Sequence, residues 1–382
     1  MNSIYRSSPI PSYLSYAIII LGGERMDKKI ITSYEEFLTL EEDWIRLEQQ
    51  DPDALVYNSF SFTKSWLKVY EKDDDISPLI IVLYHNDKIA GIGPFYILKR
   101  KKLFLKWQEL HFINQGDYHN LLLDRSILSN VQKFIKEIVE TIEEKGSLWD
   151  RMVLSYIDSK SDLAHYFLKN EKYNPLLKYL VESPTLYLNK FENFNDLKRG
   201  FSKNIKNFKN KLKKETGYTF EIHNSINRDL YEQIAQLHRM EQKYLQEEKN
   251  KTARRSLYND ALRNEYIELV SKQSPVILFL LRDSHGEIIC YNYNFVFKKR
   301  LYSWNIAYNP TFKQYRTNSV LYYDLLHYLY ERDDILEFDF GAGRYPWKYR
   351  WTKDFYLLYE LDYWKPRNQM TALLSKYMKH KK

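Results

Sequence analysis

The stretch Ile335-Leu336-Glu337-Phe338-Asp339-Phe340-Gly341-Ala342-Gly343-Arg344-Tyr345-Pro346-Trp347-Lys348-Tyr349-Arg350-Trp351 decides how the rest of the chain is read. Its first six residues alternate between two faces, with Ile335, Glu337 and Asp339 on one and Leu336, Phe338 and Phe340 on the other. That is the period of a β-strand. Gly341 and Gly343 then break it, because a residue without a Cβ allows a turn or a close backbone approach. Aromatic and cationic side chains crowd the positions that follow. A strand that ends in a glycine turn presenting charges is how open α/β sheets build sites. A strand, a turn and a basic surface loop would give the same local pattern, so the preceding chain has to decide.

The 382 residues are long for one domain, and two are expected. A hydrophobic content of 44%, with 16% aromatic residues, is enough to bury real cores and excludes general disorder. The 34 tyrosines and 20 phenylalanines favour strands and aromatic-lined clefts over an all-helical bundle. A net charge of +8 favours an anionic small molecule, an anionic cofactor or an acidic membrane surface, without requiring nucleic acid. The single cysteine, Cys290, sits in an apolar strand pattern and reads as a buried structural thiol. A cytoplasmic location follows as the default. The apolar run Tyr13 to Leu21 is too short to span a membrane. Residues 1–26 read as a disordered N-terminal extension, or translation begins at Met26.

In chain order, Ser33 and Glu36 form a capping box ahead of Phe37, Leu40, Trp44 and Leu47 at helical spacing, up to Asp51-Pro52. A second helix carries Phe62, Trp66 and Val69, and a hairpin turns at Asn86-Asp87. Further strands are expected at Leu103 to Trp107 and His111 to Leu123, then a helix from Val131, a strand from Met152, a helix from Leu163 and a strand from Pro184. The second half repeats this order without repeating the sequence, from a basic helix at Phe201 to Lys214 through to a last strand at Phe355 to Trp364. The fold class expected is α/β (α+β). Two tandem modules, 27–190 and 191–382, would each hold a mixed, mostly antiparallel sheet flanked by helices.

Tyr308-Asn309-Pro310-Thr311-Phe312-Lys313-Gln314-Tyr315-Arg316-Thr317-Asn318-Ser319 links a strand to a helix. Free N–H groups and the helix dipole make such a junction an anion site, and Lys313, Gln314 and Arg316 add donors. Gln314 to Ser319 resembles the Q-x-x-G-x-[GA] pyrophosphate signature of Gcn5-related N-acetyltransferases, with Thr317 and Ser319 at the small-residue positions. Five further features extend the likeness: Trp44-x-x-Leu47 followed by Asn58-Ser59-Phe60-Ser61-Phe62-x-x-x-Trp66; the hairpin Lys88 to Phe95; Gly116-Asp117-Tyr118; Ser202 to Lys206 with His238; and Asp339-x-Gly341-x-Gly343 ahead of Trp347-Lys348. In this order they resemble the CelD/BcsL-like (cellulose-biosynthesis-type) acetyltransferases from about Tyr34 to Trp364, and more distantly the Fem-type peptidyltransferases.

The resemblance implies two Gcn5-related modules, the first degenerate, with a site in the cleft of the second. It implies acetyl-CoA or another acyl-CoA as co-substrate, and Lys313, Gln314, Arg316, Thr317, Asn318 and Ser319 as the residues that hold it. Asp339, at the end of its strand, is a candidate base or orients the substrate, or else is paired with Lys348 or Arg344 to fix the turn. Tyr308 and Tyr345 are candidate acids, and His238 a candidate that is otherwise a packing residue. Lys348 with Trp347, Lys203 and Lys206 on the basic helix, and Asp117 and Tyr118 from the first module are candidates for holding the acceptor. With no zinc spacing, Walker loop or nucleophile elbow, no metal is expected.

The function implied is acyl transfer to an amino sugar or nucleotide-linked precursor of a cell-surface polysaccharide, with peripheral membrane contact allowed. A Fem-type transferase using aminoacyl-tRNA and a non-catalytic scaffold are the alternatives. Nucleic acid is a partner only under the first of these.

Overall fold

The computed structural model describes residues 17–21, 24–126, 131–201 and 204–380. The first half contains β1 (Ala17–Leu21), β2 (Glu24–Ile31), α1 (Tyr34–Leu38), α2 (Glu41–Gln50), α3 (Phe60–Tyr70), β3 (Ile76–His85), β4 (Lys88–Lys102), β5 (Leu105–Phe112), β6 (Leu122–Leu123), α4 (Val131–Glu144), β7 (Arg151–Asp158), α5 (Asp162–Lys169) and β8 (Leu177–Tyr187). The second contains α6 (Phe194–Arg199), α7 (Ile205–Thr216), β9 (Thr219–His223), α8 (Arg228–Glu247), α9 (Ala261–Gln273), β10 (Val276–Arg282), β11 (Ile288–Phe297), β12 (Arg300–Tyr308), α10 (Thr317–Tyr330), β13 (Glu337–Asp339), β14 (Phe355–Trp364) and α11 (Gln369–His380). Residues 17–21 of the N-terminal extension thus pair with β2. Residues 1–16 lie outside the described residues.

All the strands join one sheet, in the order β1-β2-β3-β4-β5-β7-β14-β8-β13-β12-β11-β10-β9, with β6 beside β4. Pairing is antiparallel except at β5–β7 and β12–β13. This is the mixed, mostly antiparallel sheet flanked by helices that the sequence implies. β14 comes from the end of the chain yet lies between β7 and β8, and β8 pairs onward with β13. A boundary near residue 190 therefore crosses a continuous ladder.

Strands buried on both faces need apolar residues in both registers, and the runs Leu79-Ile80-Ile81-Val82-Leu83 and Val276-Ile277-Leu278-Phe279-Leu280-Leu281 supply them. Ile80, Val82, Leu278 and Leu280 face a core shared by both halves, which holds α1 to α3 together with α8 and α9. Leu79, Ile81 and Leu83 face a second core under α4 and α5. Ile277, Phe279 and Leu281 face a third under α7 and α10. The shared core is closed by contacts between the halves, among them Phe62 against Phe295 with ring centroids 4.7 Å apart and Tyr266 donating from its hydroxyl to Asn114 Oδ1 at 3.0 Å.

Local chemistry accounts for the departures from the expected elements. Ser33 caps the first helix as expected, its Oγ accepting from the Glu36 N–H at 3.2 Å. Yet the helix breaks between α1 and α2, where the Thr39 hydroxyl donates back to the Glu36 carbonyl at 2.7 Å; such a bond competes with helix continuation. No strand runs from His111 to Leu123. β5 stops at Phe112, and Asn114 adopts a φ of +106°. At Gly116 a Cβ would stand 2.2 Å from the Tyr57 ring. The last helix, α11, has no counterpart in the sequence-based expectation. Among the described residues no helix is long and apolar enough to cross a membrane.

Where β12, β13 and β8 meet, Asp339 is wholly buried and forms an ion pair with Arg300. Its Oδ1 accepts from the Tyr118 hydroxyl and from the Gly341 N–H, each at 2.7 Å. Arg300 lies over the rings of Tyr118, Tyr302 and Tyr356, with its guanidinium carbon 4.8–5.2 Å from their centroids. Removing one member of a buried pair strands the other's charge. Asp339→Asn or Arg300→Met is therefore expected to lower stability by about 3–5 kcal/mol in denaturant unfolding. The double variant Arg300→Met/Asp339→Leu should lose less than the two single losses combined.

Candidate active site

β12 and β13 run parallel for three residue pairs, Arg300–Glu337, Leu301–Phe338 and Tyr302–Asp339, and then part. β12 continues to Tyr308 against β11, while the other chain turns away through Gly341. A cavity of about 670 Å³ fills the gap, lined by Ser303 to Ile306 and Tyr308 on one side and Phe340 to Ala342 on the other. Beyond Tyr302 this edge of β12 has no strand partner among the described residues, so its backbone groups are available to a ligand.

The glycine turn is shaped by the first half of the chain. Gly341 has a φ of +76°, and a Cβ there would stand 2.8 Å from Asp117 Oδ2 and 3.0 Å from the Ser303 carbonyl. Asp117 Oδ2 accepts instead from the Ala342 N–H at 2.9 Å. Among the described residues none donates to its Oδ1, which leaves that oxygen for a ligand. Burial pushes the Asp117 carboxyl up to about 6, against the pull of the Ala342 N–H and of Lys348. Lys348 is 4% exposed and donates to the carbonyls of Gly341 at 2.6 Å and Ala342 at 3.1 Å. Burial lowers its ammonium to about 8, with Asp117 and Asp339 acting in the opposite sense. A carboxylate and an amine thus stand beside one cavity wall, both with pKa values moved toward neutrality.

The facing wall comes from α8, the segment before α9 and the first turn of α9. Glu241 is 7% exposed there, and its carboxyl is raised by burial to about 8, so it is largely protonated at neutral pH. His238 bonds through Nδ1 to Ser256 Oγ at 2.8 Å, and burial beside Arg254 and Arg263 lowers it to about 4. Lys251, Arg254, Arg255 and Arg263 also line this wall. None of the four is paired with a carboxylate among the described residues. The start of α10 opens at the same cavity through Asn318 and Ser319, near Arg350. Together these give the cavity a positive field of the kind that attracts anions.

The structure brings together Asp117, His238, Tyr308, Asn318, Ser319, Tyr345, Trp347 and Lys348 from the sequence-based candidates. It sets others apart. Asp339 is shut off behind Arg300, and its ionic partner is neither Lys348 nor Arg344. Tyr118 is buried with its hydroxyl on Asp339. Thr317 is 2% exposed and its hydroxyl bonds to the Cys290 thiol. Lys313 lies over the Tyr244 ring and Arg316 over the Phe208 ring, while Gln314 is exposed; none of the three lines the cavity. Lys206 is exposed and does not line it either. Lys203 lies outside the described residues. The Gln314 to Ser319 loop does without glycine because Arg316 itself takes the left-handed conformation, at a φ of +51°. Glu241 and the cations from Lys251 to Arg263 were missed. The one signal was the basic Lys249 to Arg255 segment between two helices, which holds Lys251, Arg254 and Arg255 but neither Glu241 nor Arg263.

Comparison with known proteins bears on the second half of the chain and on the fold. Residues 199–349 match the model of the acetyltransferase (GNAT) domain, which is a transferase domain; the match spans less than half of the chain. No curated protein matches the sequence. In structure, the chain is similar to FemX, with a TM-score of 0.57 at 11% identity over 87% of this chain and 96% of that one. It is also similar to the C-terminal domain (DUF2156) of a candidate lysylphosphatidylglycerol synthetase from Agrobacterium fabrum. There the TM-score is 0.50 at 15% identity, over 90% of this chain and 95% of that one. At these identities the likeness is one of fold.

A pKa raised in the folded state makes Glu241 bind more protons folded than unfolded, so stability falls as pH rises from about 4.5 through about 8. Glu241→Gln is expected to remove that slope. The variant should melt at the parent's temperature near pH 4 and above it near pH 9, as read by thermal unfolding across pH.

Proposed function

We propose that the chain is an acyl-CoA-dependent N-acyltransferase whose reaction takes place in the gap between β12 and β13. The observation that carries this is the position of the Asp117 carboxylate, held on the Ala342 N–H at the mouth of the unpaired β12 edge. An acyl-CoA would supply an acyl group activated as a thioester. The residues present fit it: Asn318, Ser319 and Arg350 would face its phosphates at the helix start, and the free edge of β12 offers backbone N–H groups to a carbonyl oxygen that gains charge.

In this reading Asp117 Oδ1 takes the proton from the acceptor amine as the N–C bond forms. A carboxylate raised to about 6 is ionised at neutral pH yet more basic than an ordinary one. The hydroxyl of Tyr308, raised by burial and Glu241 to about 12, stays protonated and can give its proton to the departing sulfur; Tyr345 is the alternative donor on the same cavity. Lys348 holds the turn that carries Asp117's partner and balances its charge. The acceptor is a small molecule bearing an amine, and the likeness to the CelD/BcsL-like enzymes makes it an amino sugar or nucleotide-linked polysaccharide precursor, met in the cytoplasm.

A Fem-type reaction, with the acyl group delivered by aminoacyl-tRNA, is the second reading. Its support is the fold likeness to FemX over 87% of this chain together with the unpaired cations of the cavity wall. Under that reading tRNA is retained with a steep salt dependence, and acyl-CoA has no effect.

Acetyl-CoA or a longer acyl-CoA at about 100 times its Kd should stabilise the folded chain by about 2.7 kcal/mol, seen as a raised melting midpoint. No shift with any acyl-CoA would sink the first reading. Asp117→Asn should keep this shift while losing about 10²–10⁴-fold in acyl transfer. The parent's rate should fall as pH drops through about 6.

A further inference from the structure

The hairpin joining β4 to β5 ends in Lys99-Arg100-Lys101-Lys102-Leu103-Phe104-Leu105-Lys106-Trp107. Lys102 pairs with Leu105, which leaves Leu103 and Phe104 as a two-residue turn. Such turns call for left-handed backbone and are normally built from Asn, Asp or Gly. Here Leu103 takes a φ of +56°. Both side chains also stand in solvent, Leu103 80% and Phe104 77% exposed. Two large apolar residues in a turn that disfavours them, making no core contact, mark a surface that something outside the chain covers.

A second element packs on the strand that leaves this turn. α11 packs against β5, burying Thr371, Leu374 and Ser375 and turning out Met370, 47% exposed, and Leu373, 67% exposed. These two are one helical turn apart and form an apolar strip. Cations accompany both elements. Lys101, Lys102, Lys106 and Lys376 are exposed, and none is paired with a carboxylate among the described residues. Nearer the body of the molecule the pattern changes. Arg100 is held by Glu109 at 3.0 Å, and Lys99 donates to the Asp74 carbonyl at 2.7 Å.

We propose that the β4–β5 tip and the outer strip of α11 form a docking surface for an anionic lipid bilayer. Leu103, Phe104 and Leu373 enter the boundary between headgroups and acyl chains, and the unpaired lysines face the lipid phosphates. Charge complementarity selects this occupant. An apolar protein groove would cover the tip and leave the lysines unanswered, whereas an anionic membrane surface answers both the apolar residues and the cations. This surface is separate from the β12–β13 cavity and does not depend on what the cavity binds.

Sedimentation with vesicles tests it, using the full chain. Retention is expected on phosphatidylcholine–phosphatidylglycerol vesicles and about tenfold less on phosphatidylcholine alone. Leu103→Ser/Phe104→Ser should lose about tenfold or more in retention, and so should Lys101→Gln/Lys102→Gln/Lys106→Gln. Neither set touches the cores, so melting midpoints and any acyl-CoA shift stay at the parent's values. Because the single cysteine, Cys290, is buried, Phe104→Cys gives one accessible thiol for an environment-sensitive fluorophore. Its emission should shift to the blue on the mixed vesicles. Absence of retention on those vesicles, retention unchanged by Leu103→Ser/Phe104→Ser, or an unshifted probe would each overturn the proposal.

Discussion

The buried pair of Arg300 and Asp339 is the constraint on which the centre of the molecule turns. A fully buried carboxylate is stable only when paired and hydrogen-bonded, and its partners come from distant parts of the chain. Arg300 opens β12, Tyr118 belongs to the first half, and the Gly341 N–H belongs to the turn that follows β13. One carboxylate therefore ties the end of β13 to the start of β12 and to the loop that carries Asp117. Coupling of this kind sets where β12 and β13 stop being parallel, and so where the cavity begins.

A division of labour between neighbouring acids follows. Asp339 is saturated with donors and closed to solvent, so it positions. Asp117 has one oxygen on the Ala342 N–H and no donor on the other among the described residues, and it lines the cavity. Gly341 connects the two roles, because its N–H serves Asp339 while its missing Cβ admits Asp117. Gly341 is thus explained by a contact with the other half of the chain as much as by the turn itself, whereas at Gly343 the turn alone decides, since a Cβ there would meet the Tyr345 ring at 2.5 Å.

Such a contact is invisible to local pattern. The alternation Ile335 to Phe340 announces a strand, and the two glycines announce a break, but nothing in those residues tells that an acid more than 200 positions earlier fills the space. The strand–loop–helix junction at the start of α10 was legible, and Asn318 and Ser319 do open on the cavity. The side chains expected to serve it were not, since Thr317, Lys313 and Arg316 point to the core or to neighbouring rings. Their directions depend on the left-handed turn at Arg316 and on where Phe208 and Tyr244 pack. Glu241 was silent for the same reason: a glutamate on an amphipathic helix becomes unusual only when the fold buries it.

The sequence by itself determined the α/β class, the repeated order of elements, the continuous apolar runs of strands buried on both faces, and the glycine turn after β13. These rest on short-range periodicity and backbone sterics, which are written in neighbouring residues. Only the tertiary structure decided that the two halves share one sheet and one core, that β14 crosses into the first half, and that Asp117 rather than Asp339 faces the cavity. Those outcomes follow from burial and from long-range pairing of charges, and a residue's burial depends on the whole chain being folded around it.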